Sequence, residues 1–196
     1  MAETDEALMR AVREGDLARL GTLFDRYHVA LFDFLNRMTG NRQAAEDLVQ
    51  EVFLRILKYR ASYRDDASFQ PWMFRIARNV RVDHALARDK AQPLSEEALQ
   101  SPDETPGPHD RLEQELDSER LRAALLGLRE DRRELIVLAR YQGMKHEAIA
   151  ELLGIDTGTV KVRIHRALKE LREIYLQLAQ RPSCDVKTAR RSLSTI

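Results

Sequence analysis

The stretch Glu147-Ala-Ile-Ala-Glu-Leu-Leu-Gly-Ile-Asp-Thr-Gly-Thr-Val-Lys-Val-Arg-Ile-His-Arg166 predicts two helices that cross at a tight turn. Ala150 is small enough to allow a close crossing, and Gly154, four residues later, suits the positive φ of such a turn. Val160 offers an apolar contact for the second helix, and Asp156 can cap its first turn. Together these features are typical of a helix-turn-helix.

The second helix of this stretch has an apolar stripe and a basic face. An ordinary amphipathic helix with a solvated basic face would show the same period. The helix-turn-helix spacing directly before it favours contact with double-stranded DNA instead. The apolar set is Val160, Ile164, Ala167, Leu168, Leu171, Tyr175 and Leu178, and the basic set is Lys161, Arg163, His165, Arg166, Lys169 and Arg172.

The charges of the chain are segregated along the sequence. The 196 residues carry a formal net charge of +0, which by itself argues against binding to nucleic acid. Basic residues are concentrated between Arg55 and Lys90 and again between Lys161 and Arg172, whereas Glu96 to Glu119 is strongly acidic. Two local basic surfaces therefore remain compatible with a nucleic-acid partner.

Several classes of protein are disfavoured by what the sequence lacks. The single cysteine, Cys184, excludes an internal disulfide or a cysteine-based zinc cluster, and the five histidines lack metal-ligand spacing. No Gly-rich phosphate loop or activated nucleophile is recognisable, so we expect no enzyme activity, no catalytic residues and no cofactor. There is no apolar run of about 20 residues and no signal peptide, so we expect a cytoplasmic protein without membrane insertion.

Apolar periodicity predicts an all-α fold of two small helical domains joined by a flexible acidic linker, the second domain containing the helix-turn-helix. The predicted boundaries are residues 1–90, a Pro-rich linker over 91–110, a second domain over 111–178 and a basic mobile tail over 179–196. The predicted helices are Asp5–Arg13, Leu17–Met38, one around Leu48–Leu57, one from Pro71 to Lys90, Leu112–Leu128, Arg132–Gln142, Lys145–Leu153 and Thr157–Leu178.

Two motifs lie on opposite sides of this linker. The first is Ala45-Glu-Asp-Leu-Val-Gln-Glu-Val-Phe-Leu-Arg55, followed by Phe69-Gln-Pro-Trp-Met-Phe-Arg-Ile-Ala-Arg-Asn79, and the second is the helix-turn-helix with Gly158-Thr-Val-Lys161. They resemble regions 2 and 4 of the extracytoplasmic-function (ECF) sigma factors of bacterial RNA polymerase, over roughly Asp5 to Leu178. The resemblance implies a protein that recruits core polymerase to specific promoters, reads the −35 element and opens the −10 element.

The resemblance also implies partners and the residues that meet them. The partners are core RNA polymerase, through its β′ clamp helices and β flap, promoter DNA and an anti-sigma factor. On the residues alone, Trp72 fits a core tryptophan as well as a base-stacking one. The implied sets are Asp47, Leu48, Gln50 and Glu51 for core polymerase; Trp72, Arg75, Arg78, Asn79 and Arg81 for the −10 strand; and Thr159, Lys161, Val162, Arg163 and Arg166 for the −35 element.

The residues also leave a second class of protein open. A dimeric helix-turn-helix regulator with an N-terminal sensing domain would share the basic helix, but it would bind duplex operator without polymerase. The chain also departs from the usual sigma pattern, since Val162 stands where the family commonly has Ser. That change removes a hydroxyl contact and bears on promoter sequence rather than on packing.

Overall fold

A computed structural model describes residues 3–91 and 109–180, with side-chain surroundings over 3–88 and 116–180. Within these residues the chain is helical and contains no strand, in agreement with the all-α prediction. The interior of the predicted linker, 92–108, and the tail from residue 181 onward lie outside the described residues. The helices are α1 (Asp5–Glu14), α2 (Ala18–Thr39), α3 (Arg42–Tyr59), α4 (Phe69–Ala91), α5 (His109–Gly127), α6 (Glu130–Ile136), α7 (His146–Leu153) and α8 (Thr157–Gln180).

Helices α1 to α4 form an N-terminal half with an aromatic and aliphatic core. Short polar side chains start two of the helices: Thr4 Oγ1 accepts from the amide of Ala7 at 3.2 Å, and Asn41 Oδ1 accepts from that of Ala44 at 2.9 Å. Inside, the rings of Phe34 on α2 and Phe74 on α4 meet edge to face with centroids 5.2 Å apart. This packing fixes the outward faces of α3 and α4.

Helices α5 to α8 form a C-terminal half that contains the predicted helix-turn-helix. Gly154 ends α7 with φ +66, in the left-handed region that glycine adopts without steric cost. Asp156 Oδ1 then accepts from the amide of Thr159 at 2.8 Å, so the predicted cap is confirmed. The continuous helix predicted over Arg132–Gln142 is corrected in one respect, because α6 widens into a π-helical turn at Val137–Tyr141.

The two halves pack against each other. Leu138, Ile149 and Leu152 of the C-terminal half belong to the same buried cluster as Leu35 and Phe74 of the N-terminal half. Helix α7 lies against α4, and the π-helical turn lies against α2. The motifs predict two helical units, but they do not predict this shared core, which brings the two candidate DNA-binding surfaces of the chain into one body.

Candidate nucleic-acid interface

The recognition helix of the helix-turn-helix presents its predicted basic face to solvent. Val160 and Ile164 of α8 are buried, whereas Lys161, Arg163 and Arg166 are exposed. These three cations have no carboxylate partner within the part of the chain that the structure describes. Their charge is therefore available to phosphates or base edges.

Four of the five predicted −35 residues share one face of α8. Thr159, Val162, Arg163 and Arg166 recur at spacings of three and four residues, and Lys161 lies to one side. Val162 is 50% exposed, a contact that an apolar side chain can offer to a thymine methyl group. Thr159 differs from the others because its hydroxyl is bound to Asp156, and this hydrogen bond lowers the pKa of the Asp156 carboxyl.

The predicted −10 cations form a stripe along α4. Arg75, Arg78 and Arg81 follow one another at three-residue spacing, and we call them the arginine stripe. Trp72 and Asn79 lie beside this stripe, seven residues apart and so on nearly the same line of the helix. The structure thus places the stacking, amide and cationic groups on adjoining faces of one helix, as single-stranded binding requires.

The C-terminal half contacts each arginine of the stripe. Arg75 Nη2 donates to the carbonyl oxygen of Glu151 at 3.3 Å, and Arg78 Nε donates to Glu134 Oε1 at 2.6 Å. Arg81 pairs with Glu130, whose pKa is lowered by this hydrogen bond. The resemblance assigns Arg81 to the −10 strand, and the apolar stripe of α4 predicts that the residue lies on an exposed side of the helix; this prediction of exposure is wrong, since Arg81 is only 7% exposed where it pairs with Glu130 of α6.

Glu134 is an unusual group in this interface because it is a buried carboxylate. Only 5% of the residue is exposed, and the burial raises the pKa of its carboxyl, against the attraction of Arg78. A carboxylate at this depth requires a cationic partner, since an unpaired buried charge is strongly destabilising. Arg78 is that partner, and its side chain is itself one third exposed.

Trp72 and Asn79 are both accessible, to different degrees. Asn79 is exposed, and Trp72 is half-buried with its ring edge-on to Tyr63 at a centroid distance of 5.1 Å. Trp72 therefore contributes to the core of the N-terminal half while keeping part of its surface outside. This position combines a core contact with an accessible surface of the ring.

An apolar groove of about 310 Å³ lies between α2 and α3, beside the predicted polymerase-binding residues. Phe24, which is 40% exposed, stacks on His28 and contributes to its wall. Its other side carries Glu46 and Gln50. The apolar period of α2 predicts that Phe24 lies in the core, so it does not predict this groove. His28, one turn further along the same stripe, is a polar residue that indicates a stripe open to solvent at this point.

The four predicted polymerase-binding residues divide into two kinds. Asp47 and Gln50 are exposed beside the groove, whereas Leu48 is 4% exposed and packs in the core. Glu51 accepts a hydrogen bond from Arg55 at 2.7 Å, and Arg55 also donates to Asp83 of α4 at 2.6 Å. Glu51 therefore helps to join α3 to α4, which leaves Asp47 and Gln50 as the freely presented pair.

The fold and this interface define a helical DNA-binding protein with a helix-turn-helix at its C-terminal end. Family models for Sigma-70 region 2 and Sigma-70, region 4 match residues 23–91 and 118–171. The chain is 34% identical to the ECF RNA polymerase sigma factor RpoE of Cereibacter sphaeroides over 85% of its own length and 92% of that protein. It belongs to the ECF family of sigma factors, which direct RNA polymerase to promoters, so the alternative of a dimeric regulator is not favoured.

Two solved structures share the fold. The CnrH chain in complex with the cytosolic domain of CnrY is 25% identical with a TM-score of 0.69, covering 91% of this chain and 99% of CnrH. The sigma factor RpoE of Bartonella quintana, in complex with the anti-sigma factor NepR, is 24% identical with a TM-score of 0.63, covering 81% and 96%. Within residues 3–91 and 109–180, no helix has the length and apolar character of a membrane span.

Proposed function

We propose that the chain acts as a non-catalytic specificity subunit in the cytoplasm: residues 1–90 bind core polymerase and the −10 strand, and 111–178 read the −35 element. The acidic segment 91–110 would join the two units, and the basic segment 179–196 would add sequence-independent attraction to DNA. The observation that carries this proposal is the exposed basic face of α8, whose cations have no partner in the described chain. An unpaired row of arginines on a recognition helix favours the major groove.

Transcription from a genomic promoter library tests this proposal. Purified core polymerase is assayed with and without the full chain, and the transcripts are sequenced. We expect a set of start sites that depends on the chain and shares −35 and −10 elements. Tight binding of duplex DNA by the chain alone, together with no stimulation of core polymerase, would contradict the proposal.

Core polymerase would dock on the groove between α2 and α3. An exposed acid and amide, Asp47 and Gln50, beside an apolar groove suit a helical partner with matching polar and apolar residues. The β′ clamp helices are the proposed partner at this surface. The β flap would contact the C-terminal half, and an anti-sigma factor, as in the NepR complex, is a further proposed partner.

Replacing both Asp47 and Gln50 with alanine should weaken core binding roughly tenfold, because both side chains are exposed and neither supports the core. Competition with a labelled second sigma factor for core polymerase measures the change. Lys58→Ala, an exposed change at the far end of α3, is the matched control. Unchanged competition by the double variant at unchanged helicity would show that this groove is not the docking site.

The −10 strand would bind along α4. Asn79 can read the edge of an unpaired base, Trp72 can stack on its face, and the arginine stripe can bind the phosphates. A base exposes its face and edge only after it leaves the duplex. These residues should therefore act at strand opening rather than at duplex recognition.

Asn79→Ala should lower transcription from duplex promoters several-fold more than transcription from templates with a pre-melted −10 bubble. Because Asn79 is exposed, its replacement should not impair folding, and a folding defect would affect both templates equally. Rates from the two templates, measured side by side, give the comparison. Leu17→Ala, an exposed change just before α2 and away from α4, serves as the control. Equal losses on both templates would contradict a role in strand opening.

A further inference from the structure

Two of the three arginines of the stripe are already engaged by acidic groups of the C-terminal half. The Arg78 and Arg81 guanidinium groups already hold the carboxylates of Glu134 and Glu130. Arg81 is 7% exposed, so a phosphate cannot reach its guanidinium while Glu130 holds it. At Arg78 the Glu134 carboxylate occupies the Nε donor and offsets the positive charge that would attract a phosphate.

The acidic groups that meet the stripe are arranged to match it. Glu130 and Glu134 are four residues apart and so project from one face of α6. Arg78 and Arg81 are three residues apart on α4 and likewise share a face. Two carboxylates on one short helix thus lie opposite two guanidinium groups on another helix. Two successive phosphates of a bound strand would meet the same two guanidinium groups.

Further contacts hold α6 and its neighbours against the N-terminal half. Gln142 Nε2 donates to Asp33 Oδ2 at 3.1 Å, and the Arg37 guanidinium carbon lies 3.6 Å from the centroid of the Tyr141 ring. Arg122 Nη2 donates to the carbonyl oxygen of Gly40 at 2.8 Å. Together with the shared apolar core, these contacts define a closed state of the chain rather than an isolated pair of salt bridges.

We propose that the sigma factor inhibits itself in this closed state, with Glu130 and Glu134 occupying the phosphate-binding donors of Arg81 and Arg78. Phosphate binding by these two arginines and their pairing with the carboxylates of α6 are then mutually exclusive. Core polymerase or DNA activates the chain by separating the halves. This inference rests on the proposed strand-binding role of the stripe and adds its regulation.

The test compares the full chain with the double variant Glu130→Gln and Glu134→Gln. Both proteins carry Cys184→Ser and a dye pair at Lys58→Cys and Lys169→Cys, two exposed sites in different halves. Energy transfer reports closure, and fluorescence anisotropy with a labelled 15-nucleotide oligo(dT) reports strand binding. Asp131→Asn, an exposed acid of α6 that pairs with Arg129, controls for the general effect of removing negative charge.

We expect the double variant to lose energy transfer and to bind oligo(dT) about tenfold more tightly, since affinity rises with the open fraction. Asp131→Asn should change neither signal by more than about twofold, since its charge lies on the exposed side of α6 and is screened by solvent. Thermal unfolding followed by circular dichroism confirms that both variants fold. Unchanged energy transfer, or opening without a gain in affinity, would overturn self-inhibition.

A variant of the stripe separates this inference from the proposed function. Arg78→Gln should also open the molecule, but it should not reach the affinity of the glutamine double variant, because it removes a strand ligand. If Arg78→Gln binds oligo(dT) as tightly as the double variant, the strand-binding role of Arg78 fails while self-inhibition stands. The exchange Arg78→Glu with Glu134→Arg should restore energy transfer, and its failure to do so would count against closure by this pair.

Discussion

Replacing Arg133 with methionine lowers the free energy of unfolding by about 2 to 4 kcal/mol, because three charge-assisted hydrogen bonds are lost at a partly buried site. Its guanidinium donates to the carbonyl oxygens of Met38 at 2.7 Å, Leu126 at 2.6 Å and Leu128 at 3.0 Å. Met38 and Leu126 lie in the last turns of α2 and α5, where carbonyls lack helical partners and favour a cation. Methionine keeps the apolar length of the side chain and removes the donors.

Urea unfolding at neutral pH measures this loss. Burial lowers the pKa of Arg133, because the guanidinium loses part of its hydration at this site. The hydrogen bonds to the three carbonyl oxygens offset this loss. Arg129→Met is the matched control, because Arg129 is exposed and pairs only with exposed Asp131 at 3.4 Å. The control should shift stability by about 0.5 kcal/mol or less. If the two variants lower the free energy of unfolding equally, Arg133 does not stabilise the contact between the halves.

The helices and the helix-turn-helix were predictable because their determinants are local. Gly154, Asp156 and Val160 lie within seven consecutive residues, and each has the expected conformation, hydrogen bond or burial in the structure. The period of apolar residues likewise gives α2 to within one residue at each end. Such features depend on spacing along the chain, which a sequence states directly.

The contact between the halves was not predictable because its determinants are distant in sequence. Arg78 and Glu134 are 56 residues apart, and each by itself resembles an ordinary charge on a solvated helix face. Arg81 shows the same difficulty, since its burial depends on where α6 lies and not on its neighbours in α4. Phe24 is the converse case: its period is that of a core residue, but packing against Phe53 of α3 leaves it 40% exposed.

Arg163→Ala is expected to lower −35-dependent transcription because it removes a contact to a base edge. The promoter-binding free energy should become less favourable by about 1 to 3 kcal/mol. Arg163 lies in the second turn of α8, on the row shared with Thr159, Val162 and Arg166 that faces away from the core. Residues near the start of a recognition helix enter the major groove most deeply. Arg166, one turn further on, is better placed for the phosphate backbone.

The two arginines should therefore fail in different ways. Loss of a base contact relaxes specificity at one position of the −35 element, so Arg163→Ala should tolerate a substitution there that the parent protein rejects. Loss of a phosphate contact weakens all sequences alike and reduces the salt dependence of binding, as expected for Arg166→Ala. Transcription from promoters with every single −35 substitution, at two salt concentrations, separates the cases. Gln177→Ala, an exposed change about three turns beyond Arg166 and outside the basic face of α8, is the control. If neither arginine variant changes the −35 profile, the row of Thr159, Val162, Arg163 and Arg166 does not read this element.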